Sequence, residues 1–298
     1  MPPLQAGGPL HGMITPMRLS ALLLAAALLA PAADVRTGVT AKNIVTTQFQ
    51  SESLGRERSV NIMLPLDYET STSRYPTLYL LHGLGDDHTA WSFMTNLSGY
   101  AARHKMIVVM PDASRSWYVN NASEPKERFE DFIIKDLIPY IDSHYRTIPL
   151  RRARAVAGLS MGGYGASFLG LKHYRLFSAV GVLSGAVGIV HEAPDSSTLN
   201  DRMQKEIQPH FGAANSAERR ERDPFVLIEK VPAAEMPVLY IACGGQDFLL
   251  KQNRDFIQLL SQKKIPYEYR EISPRVHSWD FWDEQIQFFL DLFERVSR

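Results

Sequence analysis

Four glycines crowd one serine in GLSMGGYG, residues 158–165, and no other stretch of the chain restricts its local fold as tightly. The apolar run RAVA (154–157) leads in and ASFLGLKHY (166–174) leads out, so a short strand running straight into a helix accounts for both flanks. Ser160 then stands on the turn between them. Gly158 and Gly162 remove side chains where such a turn brings backbones together, and the strained turn projects the serine hydroxyl above a sheet. The N-terminus of the following helix directs unpaired N–H groups and partial positive charge to the same place. An ordinary glycine-flanked turn is the alternative, so the surroundings of the motif decide its meaning.

Short apolar runs alternate with helical patterns along the rest of the chain. SVNIMLPLDY (59–68), YPTLYLLHG (75–83), KMIVVMPD (105–112), RAVAG (154–158), SAVGVLSG (178–185), PVLYIACGG (237–245) and YEYREI (267–272) are expected strands. FEDFIIKDLIPYIDSHY (129–145) sets Phe129, Phe132, Ile133, Leu137, Tyr140 and Ile141 at helical spacing, with Pro139 expected to kink or shift the helix. WDFWDEQIQFFLDLFERV (279–296) is an amphipathic terminal helix. Central strands apolar on both faces belong in a mostly parallel sheet flanked by helices, a three-layer α/β domain over residues 34–298. Between 190 and 236 the pattern weakens to short helices, DRMQKEIQPHF and DPFVLIEKV, which form a candidate lid or active-site wall.

The amino end differs in composition. MRLSALLLAAALLAPAA (17–33) places Arg18 before an apolar run from Leu19 to Ala30 and then small residues, the arrangement of an export signal. The run is short for a membrane span, with an uncleaved anchor as the alternative. Residues 1–33 are therefore read as a signal peptide and its preceding tail, with a secreted or periplasmic protein and no stable membrane span after its removal. Cys243 is the single cysteine, which excludes an internal disulfide and a cysteine-rich zinc site. Lys plus Arg and Asp plus Glu both number 32, so no global charge supports a nucleic-acid partner. The sequence leaves the oligomeric state open.

A serine at its ordinary pKa is a poor nucleophile and needs a base, which in turn needs an orienting acid. On α/β-hydrolase sheets these follow the nucleophile in the order acid, then histidine. His277 is the only histidine after the 237–245 strand, and GGQDF offers Asp247 as that strand ends. Asp280 and Asp283 lie close to His277 on the terminal helix and are weaker candidates for the acid. The oxyanion needs two backbone donors. Met161, next after the nucleophile, supplies one; Leu84, in the HGLGDD loop at 82–87, supplies the other. His82 and His88 precede the nucleophile and are read as supports of that loop. Trp279 and Trp282 either pack the histidine loop or anchor the last helix.

Taken together, HGLGDD, MPDASRSWY, GLSMGGYGA, SAVGVLSG, CGGQDFLL and HSWDFW, in this order, resemble the esterase family related to esterase D. That family includes S-formylglutathione hydrolases, tributyrin and feruloyl esterases and the antigen 85 mycolyltransferases. The resemblance runs from about residue 45 to the carboxyl end. It implies a three-layer α/β-hydrolase fold, a Ser160, Asp247 and His277 triad with Leu84 and Met161 as oxyanion donors, and no cofactor or metal. It also implies a serine esterase acting through an acyl-enzyme on short-acyl or sugar-linked esters. RSWYVNN (115–121) resembles the family's wall beside the nucleophile, where Trp117, Tyr118 and Asn120 either contact substrate or pack a loop. Formylglutathione hydrolases carry a cysteine in the loop after HGL, where this chain reads GDDHTAW. Acyl transfer, thioester hydrolysis and an inactive carbohydrate-associated module stand as the alternative functions.

Overall fold

Runs such as TLYLL and IVVMP present apolar side chains on both faces, which only a sheet covered on both sides can bury. The computed structural model describes residues 43–191 and 201–298, with the side chains of 201–204 left aside. The expected signal at 1–33 and part of the candidate lid, 192–200, lie outside the described residues. Eight strands form one sheet: β1 (Ile44–Ser51), β2 (Arg56–Met63), β3 (Thr77–Leu81), β4 (Ile107–Pro111), β5 (Arg154–Leu159), β6 (Ala179–Leu183), β7 (Val238–Gly244) and β8 (Tyr267–Ile272). Their order is β1-β2-β4-β3-β5-β6-β7-β8. The β1–β2 and β2–β4 pairs are antiparallel and all others parallel.

Among the described residues the α-helices are α1 (Ala90–Met94), α2 (Leu97–Ala101), α3 (Phe129–Asp131), α4 (Ile138–His144), α5 (Met161–Lys172), α6 (Asp201–Phe211), α7 (Ala217–Arg220), α8 (Pro224–Lys230), α9 (Leu250–Gln262) and α10 (Trp279–Ser297). One sheet face is covered by α3 to α5, α8 and α9, with Phe132, Ile141, Phe168, Ile228 and Phe256 in its core. The other is covered by α1, α2 and α10 through Trp91, Leu97, Phe281, Ile286 and Phe289. The fold is therefore a three-layer α/β-hydrolase with a mostly parallel central sheet. Among the described residues, no helix is long and apolar enough to cross a membrane.

The helix containing Pro139 is continuous but not uniform. A π-helical segment, Phe132–Leu137, joins α3 to α4, and Pro139 is the second residue of α4. A proline ring clashes with the carbonyl four residues back and donates no N–H. Widening the preceding turn relieves both problems without breaking the helix. The hairpin strand β1 escapes sequence reading because most of its residues are polar or exposed, as befits a sheet edge.

Strand register prepares the site. Leu81 pairs with Gly158, Leu159 with Leu183, Leu183 with Ala242 and Gly244 with Ile272. The carboxyl ends of β3, β5, β6, β7 and β8 therefore end at one edge, and the loops leaving them meet there. In open α/β sheets that is where ligand sites form.

Candidate active site

Ser160 sits between β5 and α5 with φ 52° and ψ −115°, a left-handed conformation unfavourable for a residue with a side chain. Its neighbours hold it there: its N–H donates to Leu183 O at 3.0 Å, and its carbonyl accepts from Ala186 N at 3.1 Å. A Cβ on Gly162 would stand 2.4 Å from Leu81 O and 2.6 Å from His82 O, and one on Gly158 would stand 2.4 Å from Gly162 O. Both glycines are required by close backbone approach. The helix after the elbow can then lie directly against the end of β3.

Asp247 and His277 meet although 30 residues separate them. Asp247 Oδ2 accepts from His277 Nδ1 at 2.9 Å, and Oδ1 accepts from Leu249 N at 2.8 Å. The loops carrying them are zipped by Gly245 N to Ile272 O and Gln246 N to Arg275 O, each 2.9 Å. The Asp247 side chain has no exposed surface. Burial pushes its carboxyl pKa upward, but the His277 ring and the Leu249 amide outweigh burial and hold it below the usual value. Because the carboxylate can only accept, Nδ1 carries the proton and Nε2 is left as the basic nitrogen. Trp282 stands edge-on to the imidazole at 4.8 Å and meets Trp279, also edge-on, at 5.2 Å, and Trp279 in turn meets Trp91 at 5.4 Å. Trp282 therefore packs both the histidine loop and α10.

Asp280 and Asp283 are committed elsewhere. Asp280 pairs with Arg275 and accepts from Ser278, while Asp283 accepts from Asn96 N at 2.7 Å and Tyr100 Oη at 2.8 Å. Asp283 thus ties α10 to the start of α2.

The 82–87 loop reaches the elbow. A Cβ on Gly83 would lie 3.7 Å from Ser160 Cβ, which puts the loop carrying Leu84 beside the serine. Met161 N–H, at the first position of α5, has no acceptor within the helix. His82 is buried, its Nδ1 2.8 Å from Gly83 O and its Nε2 accepting from Ala113 N at 3.0 Å. Burial lowers its pKa, with the Gly83 carbonyl acting in the opposite direction. With both nitrogens engaged, His82 is a loop support.

Trp117 and Tyr118 are taken up by packing. Tyr118 is fully buried, donates from Oη to His82 O at 2.9 Å and fills the space a side chain at Gly165 would need. Trp117 is 3% exposed between Tyr164 and Phe211, and Asn120 accepts from Asp131 N at 3.1 Å. Residues 116–119 of the 115–121 segment are buried in the wall behind the elbow, while Arg115 is exposed and Asn120 half-buried. The described part of the candidate lid packs on the same wall: Phe211 of α6 meets Trp117 and Tyr164, and Tyr164 Oη donates to Arg222 O at 2.7 Å. A cavity of about 340 Å³ beside Arg115, Glu127, Glu206 and His210 is lined by none of Ser160, Asp247 and His277.

Sequence reading missed Phe248 and Val276. Phe248 is 75% exposed, yet its ring centre is 4.5 Å from that of His277; Val276, the residue before His277, is 46% exposed. Their positions directly beside the candidate acid and base were the available signal.

A serine on a strained strand-to-helix turn, at the same edge of a mostly parallel sheet as an Asp–His pair, defines a serine hydrolase of the α/β-hydrolase class. Residues 51–291 match the family described as "Putative esterase". The chain belongs to that family and is a serine esterase working through an acyl-enzyme. An acetyl esterase of Caldicellulosiruptor saccharolyticus is 29% identical over 85% of this chain and 99% of its own length. An endo-1,4-beta-xylanase/feruloyl esterase of Xylanibacter ruminicola is 33% identical over 55% of this chain, a match covering 24% of that larger protein. Among solved structures, a fluorophosphonate-binding serine hydrolase of Staphylococcus aureus, with substrate bound, superposes with a TM-score of 0.72 at 28% identity, covering 84% of this chain and 98% of its own.

Proposed function

We propose that Ser160 is the nucleophile, His277 the base and Asp247 the orienting acid, that the Leu84 and Met161 amides hold the oxyanion, and that the substrates are short-acyl or sugar-linked esters. The observation that carries this reading is the 2.9 Å contact between Asp247 and His277 Nδ1, which leaves Nε2 free on the sheet edge where Ser160 stands. Ser160 attacks the acyl carbon as His277 takes its proton. The negative oxygen forms beside the two amides, the ester C–O bond breaks, and His277 returns the proton to the leaving alcohol. Water, deprotonated by His277, then releases the acid. The acetyl esterase relative, matched along nearly its whole length, supports the short acyl group, and the xylanase/feruloyl esterase supports a sugar-linked alcohol.

Fluorophosphonate labelling with the adduct mapped by mass spectrometry tests the nucleophile. Label on Ser160 and a burst of nitrophenol from 4-nitrophenyl acetate are expected; label on any other residue refutes the assignment. Dominant transfer to added glycerol, with little free acetate, would instead mark a transferase. The proposal extends to export, supported by Arg18 and the apolar Leu19–Ala30 run. Uncleaved protein confined to the cytoplasmic fraction would refute it.

A further inference from the structure

We infer that Phe248 forms the wall against which the leaving alcohol of the ester packs. This rests on the proposed role of His277. A single exposed apolar residue carries little meaning. Here the ring of Phe248, from the loop after β7, lies against the imidazole and is among the most exposed apolar side chains described, and Val276, the residue before His277 in the loop after β8, is exposed as well. Phe248 is also held in place: Asp247 N donates to Gly244 O at 3.1 Å, and Leu249 N donates to Asp247 Oδ1 at 2.8 Å, so the backbone on both sides of it is tied. An aromatic ring exposed to solvent on a tied backbone, against the proposed base, offers a contact surface.

Proton transfer says which part of the substrate it meets. His277 must hand its proton to the oxygen that leaves, so the alcohol group begins one bond beyond an atom within hydrogen-bond reach of Nε2. The carbonyl oxygen points instead toward the start of α5. The exposed ring centred 4.5 Å from the imidazole is assigned by this inference to the alcohol side. Its chemistry suits an alcohol with an apolar face, such as an aryl ring or the C–H face of a sugar.

The test compares kcat/KM for phenyl acetate and methyl acetate, which share an acyl group and differ in the alcohol. In Phe248→Ala the ratio of phenyl to methyl acetate should fall about two- to tenfold, the range of an aromatic contact, and Phe248→Trp should retain it. A second pair, methyl acetate and methyl butyrate, should keep its ratio in Phe248→Ala. An unchanged alcohol ratio overturns the inference. So does a shift confined to the acyl pair, or an equal loss on every ester, which would make Phe248 a positioning residue for His277. Fluorophosphonate label mapped in the unaltered enzyme separates the two readings: label on Ser160 with an unchanged alcohol ratio defeats only the wall, whereas label elsewhere defeats the triad and the wall with it.

Discussion

Replacing Asp247 with asparagine removes one hydrogen-bond acceptor from a place that uses two. In the native site Oδ1 accepts from Leu249 N and Oδ2 from His277 Nδ1, and the side chain is sealed from water. An amide has one oxygen and one NH₂. If the oxygen stays with Leu249, the NH₂ faces His277 and forces the ring into the tautomer protonated on Nε2, which cannot take the Ser160 proton. If it turns to His277, the NH₂ confronts the Leu249 N–H, and a buried donor left unpaired costs about 1–3 kcal/mol. The first arrangement dominates, so D247N should fold yet acylate roughly 10⁴-fold more slowly, about 5 kcal/mol of barrier, as in the Asp-to-Asn change of a protease triad. Loss of the charge-assisted bond should also cost about 1.5–3 kcal/mol of stability. Single-turnover acylation by 4-nitrophenyl acetate, with circular dichroism and urea unfolding alongside, measures both. D247N with near-native acylation, beside a folded but inactive D280N or D283N, would refute this reasoning.

Gly162→Ala should destabilise by about 1–3 kcal/mol and slow fluorophosphonate labelling of Ser160, because the new Cβ meets two backbone carbonyls within 2.6 Å. Native stability and labelling in that variant would show that the elbow can shift at no cost. Burial lowers the pKa of His82, so the unfolded chain takes up that proton first and stability falls as pH drops below about 6.5. His82→Asn should therefore reduce the slope of unfolding free energy against pH between 6.5 and 5 by up to about 1.4 kcal/mol per pH unit, measured by urea titration. An unaltered slope would mean that His82 is charged in the folded protein. Asp283→Asn should loosen α10 from α2 and lower stability by about 1 kcal/mol while leaving the acylation rate near native, since its carboxylate bonds Asn96 and Tyr100.

The sequence alone determined what local rules control. Apolar runs marked β3 to β7, helical spacing marked α10, and glycine spacing placed Ser160 on a strand-to-helix turn, because backbone sterics and side-chain periodicity act over a few residues. Chain order singled out Asp247 and His277, since one histidine follows β7. Tertiary structure decided the rest. That Asp247 and His277 share a hydrogen bond depends on the register of β7 against β8, which lies in pairing between distant strands. That Asp280 and Asp283 serve other partners depends on where α10 docks. Trp117 and Tyr118 look the same in sequence whether they face a substrate or a core, and only packing against α5 and α6 buried them. Phe248 is the converse: its residue type suits a core, but the turn that aims Asp247 inward leaves the next side chain in solvent beside the imidazole. Exposure is a property of the assembled surface, and no local pattern encodes it.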